Sequence, residues 1–294
     1  MPTIYGMFFN SQSGDGKGSE IAKQLRNELS KKHYDSLMIT GKNADDAVNS
    51  VKQTLSKINV LIAIGGDGTI NLAMTALVQT RSELPIGIIP AGTVSNFAKR
   101  CHLPLDVDHA IKIVIDIAQT RPVGIGVCNG TKAIVSSLTF GNLADLSNDV
   151  RQEEKRKFGK VVYLVKAIQH IGRNKSFRVK MTLDDTPPKT VKVWFALITT
   201  TKSVGGHVYD ESATNKTHIS MLSNIKFHKV ISYLYFALSG HLRDSKSIDY
   251  FTSSSARFEP VNNADIETRI DGDKATLLPI SVEYKSDFLR LIVS

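Results

Sequence analysis

The sequence predicts an α/β protein in two parts: an N-terminal doubly wound parallel sheet, then a β-rich, antiparallel, sandwich-like domain with a few helices. Two observations predict this. Over the first 120 residues, short apolar β-type runs alternate with segments of helical spacing, which is the pattern of βαβ units. From about Arg121 onward the apolar period changes to two, as expected of half-buried antiparallel strands. The boundary falls near residue 125, giving domains of 1–124 and 125–294, with the last strand free to return toward the first domain. A chain of 294 residues, 41% of them hydrophobic, has enough apolar side chains for two cores.

Each element has its own signal. Residues 3–9 are apolar and β-rich, a first strand. Residues 19–32 repeat apolar side chains at Ile21, Ala22, Leu25 and Leu29, one face of a helix. A second strand at 37–40 is followed by a helix over 44–57, with its stripe at Ala47, Val48, Val51 and Leu55. Residues 60–64 form an uninterrupted apolar run ending at Gly65-Gly66, the form of a strand buried on both faces. A helix at 69–78 with Thr69 as N-cap, a buried strand at 86–89 and a helix at 107–118 complete this half. In the second half Phe177, Val179, Met181 and Leu183 alternate with polar residues, and Val191, Val193, Phe195 and Leu197 do the same. Ile280, Val282 and Tyr284 precede a last strand at 289–293, and helices interrupt at 160–171 and 229–238.

Composition narrows the function. Lys and Arg total 37 against 28 Asp and Glu, and the resulting net charge of +9 favours acidic partners such as an anionic membrane, nucleic acid or polyphosphate. Cys101 and Cys128 are too few for a disulfide framework or a thiolate zinc site. Met1-Pro2-Thr3-Ile4-Tyr5 lacks the basic region of a signal peptide, and no apolar run approaches the roughly 20 residues that span a bilayer. A soluble, cytoplasmic globular protein is expected. Several familiar sites are excluded. A Walker A loop needs glycine at 11 and Ser or Thr at 18, where this chain has Ser11 and Gly18; there is no Gly-x-Ser-x-Gly elbow and no paired-histidine zinc motif. No strand interleaves basic and aromatic residues as RNA-binding sheets do, so nucleic acid is not an expected partner.

The segment that carries chemistry is Val60-Leu61-Ile62-Ala63-Ile64-Gly65-Gly66-Asp67-Gly68-Thr69-Ile70-Asn71. A buried strand runs through Gly65, Gly66 and Gly68 into a helix. Glycines let the backbone approach a ligand closely, and the helix N-terminus adds about half a positive charge, which together suit a phosphate. Asp67 would repel that phosphate unless Mg²⁺ lies between them, directly or through water.

Gly65-Gly66-Asp67-Gly68-Thr69 resembles the glycine-rich signature of the diacylglycerol kinase catalytic domain family, which shares a superfamily with sphingosine kinases, NAD kinases and phosphofructokinases. Asn10-Ser11-Gln12-Ser13-Gly14 is similar to the family's first loop. Pro90-Ala91-Gly92-Thr93-Val94-Ser95-Asn96-Phe97-Ala98-Lys99-Arg100 resembles its second signature, and Phe158-Gly159-Lys160-Val161-Val162-Tyr163 resembles the patch opening a helix of the second domain. Asp271-Gly272-Asp273 resembles the Asp-Gly-Glu that supplies the family's catalytic base. The chain departs from the pattern at Ser95 and Asn96, where the family has Asn and Asp, and at Asp273, one methylene shorter than Glu. The segment 209–219 lacks the family's structural magnesium pattern, so that metal site is not expected.

The resemblance implies an ATP- and Mg²⁺-dependent lipid kinase acting in phospholipid metabolism, with its active site between the two domains. Asn10, Ser13 and Lys17 would line the first phosphate loop. Thr40, Gly65, Gly66, Asp67, Gly68, Thr69, Ile70, Asn71 and Thr93 would contact the nucleotide. Asp67 would organise Mg²⁺ through water, and Asp273, with Asp271, would take the proton from a hydroxyl of diacylglycerol or a related lipid. Basic residues 151–160, including Lys155 and Lys157, suit either ATP phosphates or the inner face of an anionic membrane, and the apolar-basic stretch 226–243 suits that membrane face or a solvated charge run beside core helices. A homodimer is compatible with exposed strand edges. The alternatives are an NAD kinase, which shares the glycine turn, or a non-catalytic nucleotide- or lipid-binding protein on the same fold.

Overall fold

The computed structural model describes residues 3–10, 17–92, 95–117, 119–142, 176–200, 203–204, 207–208, 215–223, 248–262 and 264–294. The helices expected at 160–171 and 229–238 lie outside the described residues, as do the basic cluster 151–160 and the patch 158–163. In chain order the elements are β1 (Ile4–Phe9), α1 (Lys17–Lys31), β2 (Asp35–Ile39), α2 (Ala44–Thr54) with a 3-10 turn (Leu55–Lys57), β3 (Val60–Gly65), α3 (Asp67–Thr80), β4 (Pro85–Pro90), α4 (Asn96–Arg100), α5 (Val107–Asp116), β5 (Gln119–Cys128) and β6 (Lys132–Ile134). There follow β7 (Ser137–Gly141), β8 (Phe177–Leu183), β9 (Lys189–Val193), β10 (Phe195–Thr199), β11 (Ser203–Val204), β12 (His207–Val208), β13 (Thr217–Leu222), β14 (Ile248–Ser253), β15 (Ser255–Pro260), β16 (Glu267–Ile270), β17 (Asp273–Leu277) and β18 (Ile280–Val293). These fall into two units, Met1–Val135 with Lys285–Ser294, and Ser136–Tyr284. Residue 125 lies inside β5.

The first unit is a doubly wound α/β sheet. Its strands run β2-β1-β3-β4, all parallel, and the end of β18 continues the sheet parallel to β4 through Arg290 and Leu291. β5 pairs with β18 and with β6. Strand alternation sends successive side chains to opposite faces. Tyr5, Met7, Phe9, Val60, Ile62 and Ile64 pack on one face with Ile21, Ala22, Leu25 and Leu29 of α1 and with α5. Phe8, Leu61 and Ala63 pack on the other with Ala47, Val48 and Val51 of α2 and with α3. Every residue of β3 is buried, as its uninterrupted apolar run requires. Truncating Leu61 or Ile62 to Ala at such a site costs about 2–5 kcal/mol. Two caps fix helix starts: Asn43 accepts from the Asp46 N–H at 2.9 Å and Asp106 from the His109 N–H at 2.8 Å, each contributing about 1 kcal/mol. The expected N-cap Thr69 is not the cap of α3. Gly66 is, because its extended backbone lets its carbonyl accept from the Ile70 N–H at 3.1 Å.

Among its described residues the second unit holds two larger antiparallel sheets and a two-stranded one, β11 with β12. One larger sheet runs from the start of β18 through β15 and β8 to β9; the other has the order β14-β13-β10-β7-β16-β17. The rings of Phe140 and Phe258 meet at 5.2 Å. The alternating run 191–197 is not one strand. It breaks at buried Trp194, whose N–H donates to Leu222 and whose carbonyl accepts from Asn142. The chain thus leaves β9 in one sheet and enters β10 in the other, and the extra residue flips the pattern. Val193 is buried before the break, Ala196 and Ile198 after it, while Phe195 and Leu197 are only half-buried. The two separate end strands expected at 280–284 and 289–293 are instead one strand, β18, with Asp287 in the left-handed region at φ 54°. Among the described residues no helix is long and apolar enough to cross a membrane.

Candidate active site

The strand order reverses between β1 and β3: the chain leaves β1 toward β2 and leaves β3 toward β4. Right-handed crossovers then put α1 and α3 on opposite faces, and the carboxyl ends of β1 and β3 open a crevice, the usual ligand position in such sheets. Most residues expected to bind nucleotide lie at this edge. Asn10 directly follows β1, Lys17 is the exposed first residue of α1, Thr40 is exposed just beyond β2, and Gly65 ends β3. Ser13 and Thr93 lie outside the described residues.

The turn after β3 is built on glycine. Gly65 has φ +155°, and a Cβ there would meet the Thr69 hydroxyl at 2.5 Å. A Cβ on Gly92 would lie 2.4 Å from the Gly66 Cα, so two backbones cross with no room for a methyl group. The Gly65 carbonyl accepts from the Ala91 N–H at 3.0 Å, tying the same two loops together. Gly68 differs, since a Cβ there would meet nothing within 4 Å. It is the exposed, open face of the turn.

Asp67, expected near a magnesium ion, also does structural work. Its Oδ2 accepts from the Asn96 N–H and its Oδ1 from the Phe97 N–H, both at 3.0 Å. It thereby caps α4 from another loop. Ser95, at the N-cap position, sits in the left-handed region with φ 52° and ψ 50°, and its hydroxyl donates to the Gly92 carbonyl at 3.2 Å instead of capping. Arg100 lies over the Phe97 ring and donates to the Gly124 carbonyl at 2.9 Å.

Three expected contacts have their side chains turned elsewhere. Ile70 is fully buried in the core, so only its backbone faces the turn. Asn71 donates to the Ala133 carbonyl at 2.8 Å, and Thr75 accepts from the Ala133 N–H at 3.2 Å, stitching α3 to β6. Thr69 is buried against Gly65.

The acidic pair belongs to the second unit. Asp271 and Gly272, with φ 52° and 97°, form the two-residue loop between β16 and β17, as an Asp-Gly pair favours. Asp271 Oδ1 accepts from the Ser136 N–H at 2.7 Å and the Ser137 N–H at 2.9 Å, while its own N–H donates to Ser137. Asp273 opens β17 opposite Ile270 and is exposed. Sequence reading placed Gly92, Asn96 and Phe97 within the second signature without giving them a contact, and it missed the Ser136-Ser137 doublet, whose local signal is its recurrence at Ser254-Ser255 ahead of β15. Burial pushes the Cys101 thiol up, and that of Cys128 up to about 11, so neither supplies a thiolate nucleophile.

Comparison with known proteins bears on the family and the fold. Residues 5–128 match the diacylglycerol kinase catalytic domain family. A Bacillus subtilis protein named diacylglycerol kinase is 25% identical over 280 residues, covering 93% of this chain and 90% of that protein. The crystal structure of a diacylglycerol kinase from Bacillus anthracis has the same fold, with a TM-score of 0.71 at 17% identity over 99% of this chain and 97% of that one. An NAD kinase from Archaeoglobus fulgidus, solved in complex with ATP, shares the fold more distantly, with a TM-score of 0.52 at 11% identity over 97% of this chain and 90% of that one.

Proposed function

We propose, from the match of residues 5–128 to the diacylglycerol kinase catalytic domain family and the likeness of nearly the whole chain to proteins named diacylglycerol kinase, that it is a lipid kinase transferring the γ-phosphate of ATP to a hydroxyl of diacylglycerol or a related membrane lipid. The observation that carries the reading is the turn at Gly65–Gly68, locked against Gly92 at the carboxyl edge of the sheet, with its open face at Gly68. The first unit is the nucleotide domain, and the second serves the lipid.

The peptide N–H groups opening α3 receive the phosphates, and Lys17 and Thr40 border them. Asp67 is the residue to hold magnesium. Each of its oxygens accepts one N–H and keeps a lone pair. That suits an ion which takes one or two carboxylates and completes its shell with phosphate and water. When bound, magnesium neutralises phosphate charge during transfer. Asp273 accepts the lipid hydroxyl proton as the oxygen attacks the γ-phosphorus. The net charge of +9 supports peripheral binding to an anionic cytoplasmic membrane face, at about 1 kcal/mol for each Lys or Arg near the surface.

The test is labelled γ-phosphate transfer from Mg·ATP to mixed micelles of diacylglycerol, monoacylglycerol, phosphatidylglycerol, sphingosine or ceramide, with NAD in a parallel reaction. Transfer to a lipid, lost in Asp67→Asn and Asp273→Asn, is expected. Transfer to NAD alone would replace the reading with an NAD kinase, and ATP binding without any transfer would leave a non-catalytic binder.

A further inference from the structure

The two larger sheets of the second unit repeat one four-strand plan, β10-β7-β16-β17 in one and β18-β15-β8-β9 in the other. Each middle strand begins at a serine doublet, Ser136-Ser137 or Ser254-Ser255, and carries the phenylalanine of the facing pair, Phe140 or Phe258. On one side, the neighbouring strand donates an N–H to the first serine carbonyl: Thr200 to Ser136 at 3.1 Å, Tyr284 to Ser254 at 2.8 Å. On the other side, the neighbouring strand ends in a left-handed aspartate, Asp271 at φ 52° or Asp184 at φ 46°. Each aspartate donates its N–H to the second serine carbonyl at 2.8 Å. Each Oδ1 accepts both serine N–H groups, at 2.7 and 2.9 Å for Asp271 and at 2.9 Å twice for Asp184.

The copies differ beyond the clamp. After Asp184 come Asp185 and Thr186; after Asp271 come Gly272 and Asp273. The tip holding Asp273 also has an extra tether, because buried Arg269 donates to the Gly272 carbonyl at 3.2 Å. The equivalent position in the other copy, two residues before the aspartate, is Thr182. Glycine at 272 gives the tip no stiffness of its own, so the clamp and the tether supply it.

We propose that Asp271 is a positioning residue, whose clamp on Ser136 and Ser137 fixes the hairpin tip so that Asp273 meets the acceptor hydroxyl. This rests on the reading of Asp273 as proton acceptor. Asp184 provides a matched control: the same clamp in the same unit, at a tip without that acid. A proton acceptor works within about 2.6–3.2 Å of its donor, and a misplacement of about 1 Å costs on the order of 100-fold in rate.

The experiment compares Asp271→Ala, Asp271→Asn, Asp184→Ala and Asp273→Asn by thermal melting and lipid-kinase kinetics. Asp271→Ala is expected to lower kcat by about 10- to 100-fold with the KM for Mg·ATP unchanged. Asp271→Asn is expected to restore most of kcat and to keep the acid limb of the wild-type pH profile, because an amide oxygen still accepts both N–H groups. Asp184→Ala is expected to lower Tm while leaving kcat in place. If Asp271→Ala yields no folded protein, Arg269→Gln tests the tether, with a smaller kcat loss expected at constant KM. A folded Asp271→Asn as inactive as Asp271→Ala would overturn the proposal, since a carboxylate would then be needed for chemistry. So would equal kcat losses in Asp184→Ala, or full kcat in Asp271→Ala or in Arg269→Gln. Full activity in Asp273→Asn would instead sink the reading of Asp273 and leave the clamp without its object.

Discussion

Replacing Gly68 with alanine separates a phosphate site from a merely tight turn. Gly68 lies in the first turn of α3, has an ordinary helical backbone, and offers open space where a Cβ would go. Alanine there loses less chain entropy on folding than glycine, a gain of about 0.5–1 kcal/mol. At about 2–4 °C per kcal/mol for a chain of this size, the ligand-free Tm should rise by about 1–4 °C. With phosphates seated against this backbone, the new methyl group occupies their place. Overpacking costs about 1–3 kcal/mol, which weakens Mg·ATP binding by about 5- to 150-fold. Thermal melting without ligand and titration calorimetry with Mg·ATP read the two effects separately. A raised Tm with unchanged ATP affinity would refute the placement of the nucleotide on this turn. A lowered Tm would refute the claim that the position is sterically open.

Three further outcomes follow from the same geometry. Gly92→Ala drives a Cβ onto the Gly66 Cα, backbone against backbone, so it should cost about 1–3 kcal/mol and lower Tm by several degrees; an unchanged Tm would mean the loops separate freely. Ser95→Asn places a residue that tolerates the left-handed region at φ 52° and should raise stability in urea unfolding by about 0.5–1 kcal/mol, part of the 1–2 kcal/mol that conformation costs other residues; a loss would show that its buried volume dominates. Burial raises the Asp184 pKa, but the Ser255 N–H, the Ser253 hydroxyl and the Ser254 N–H outweigh it and hold the carboxyl below its ordinary value. Its contribution is therefore present above the unfolded pKa of about 3.9 and lost as pH falls through the lower folded value. Unfolding midpoints measured between about pH 5 and 2 should fall less steeply in Asp184→Asn than in the wild type, and parallel curves would remove Asp184 from the acid sensitivity.

What the sequence made legible is what neighbouring residues decide. The run 60–64 meets both faces of a sheet wherever it sits, and Ile21, Ala22, Leu25 and Leu29 share a helix face by spacing alone. The glycine turn was readable for the same reason, because three glycines directly after a buried strand mark a tight, closely packed backbone. Partners distant in sequence were not readable. The amides that Asp67 holds lie at 96 and 97, and those that Asp271 holds lie at 136 and 137. The change of sheet at Trp194 does leave a local mark that a period of two passes over, since Val193 to Ile198 are all apolar and the alternation with polar residues stops at Lys192. Asn71 looked like a turn residue aimed at a ligand, and only the fold brings Ala133 beneath it.

The last strand sets an order of events during synthesis. β4 is made by residue 90, yet its sheet partner, the stretch around Arg290 and Leu291, emerges about 200 residues later. At about 5–20 residues per second, a ribosome leaves that gap open for roughly 10–40 s. Throughout that interval the nascent first unit exposes an apolar strand edge at Ile86 and Ile88, the kind of edge on which other chains pair. Leu289, Leu291 and Ile292 then close it, all buried. Residues 285–294 act as the keystone of a sheet whose first strand begins at Ile4.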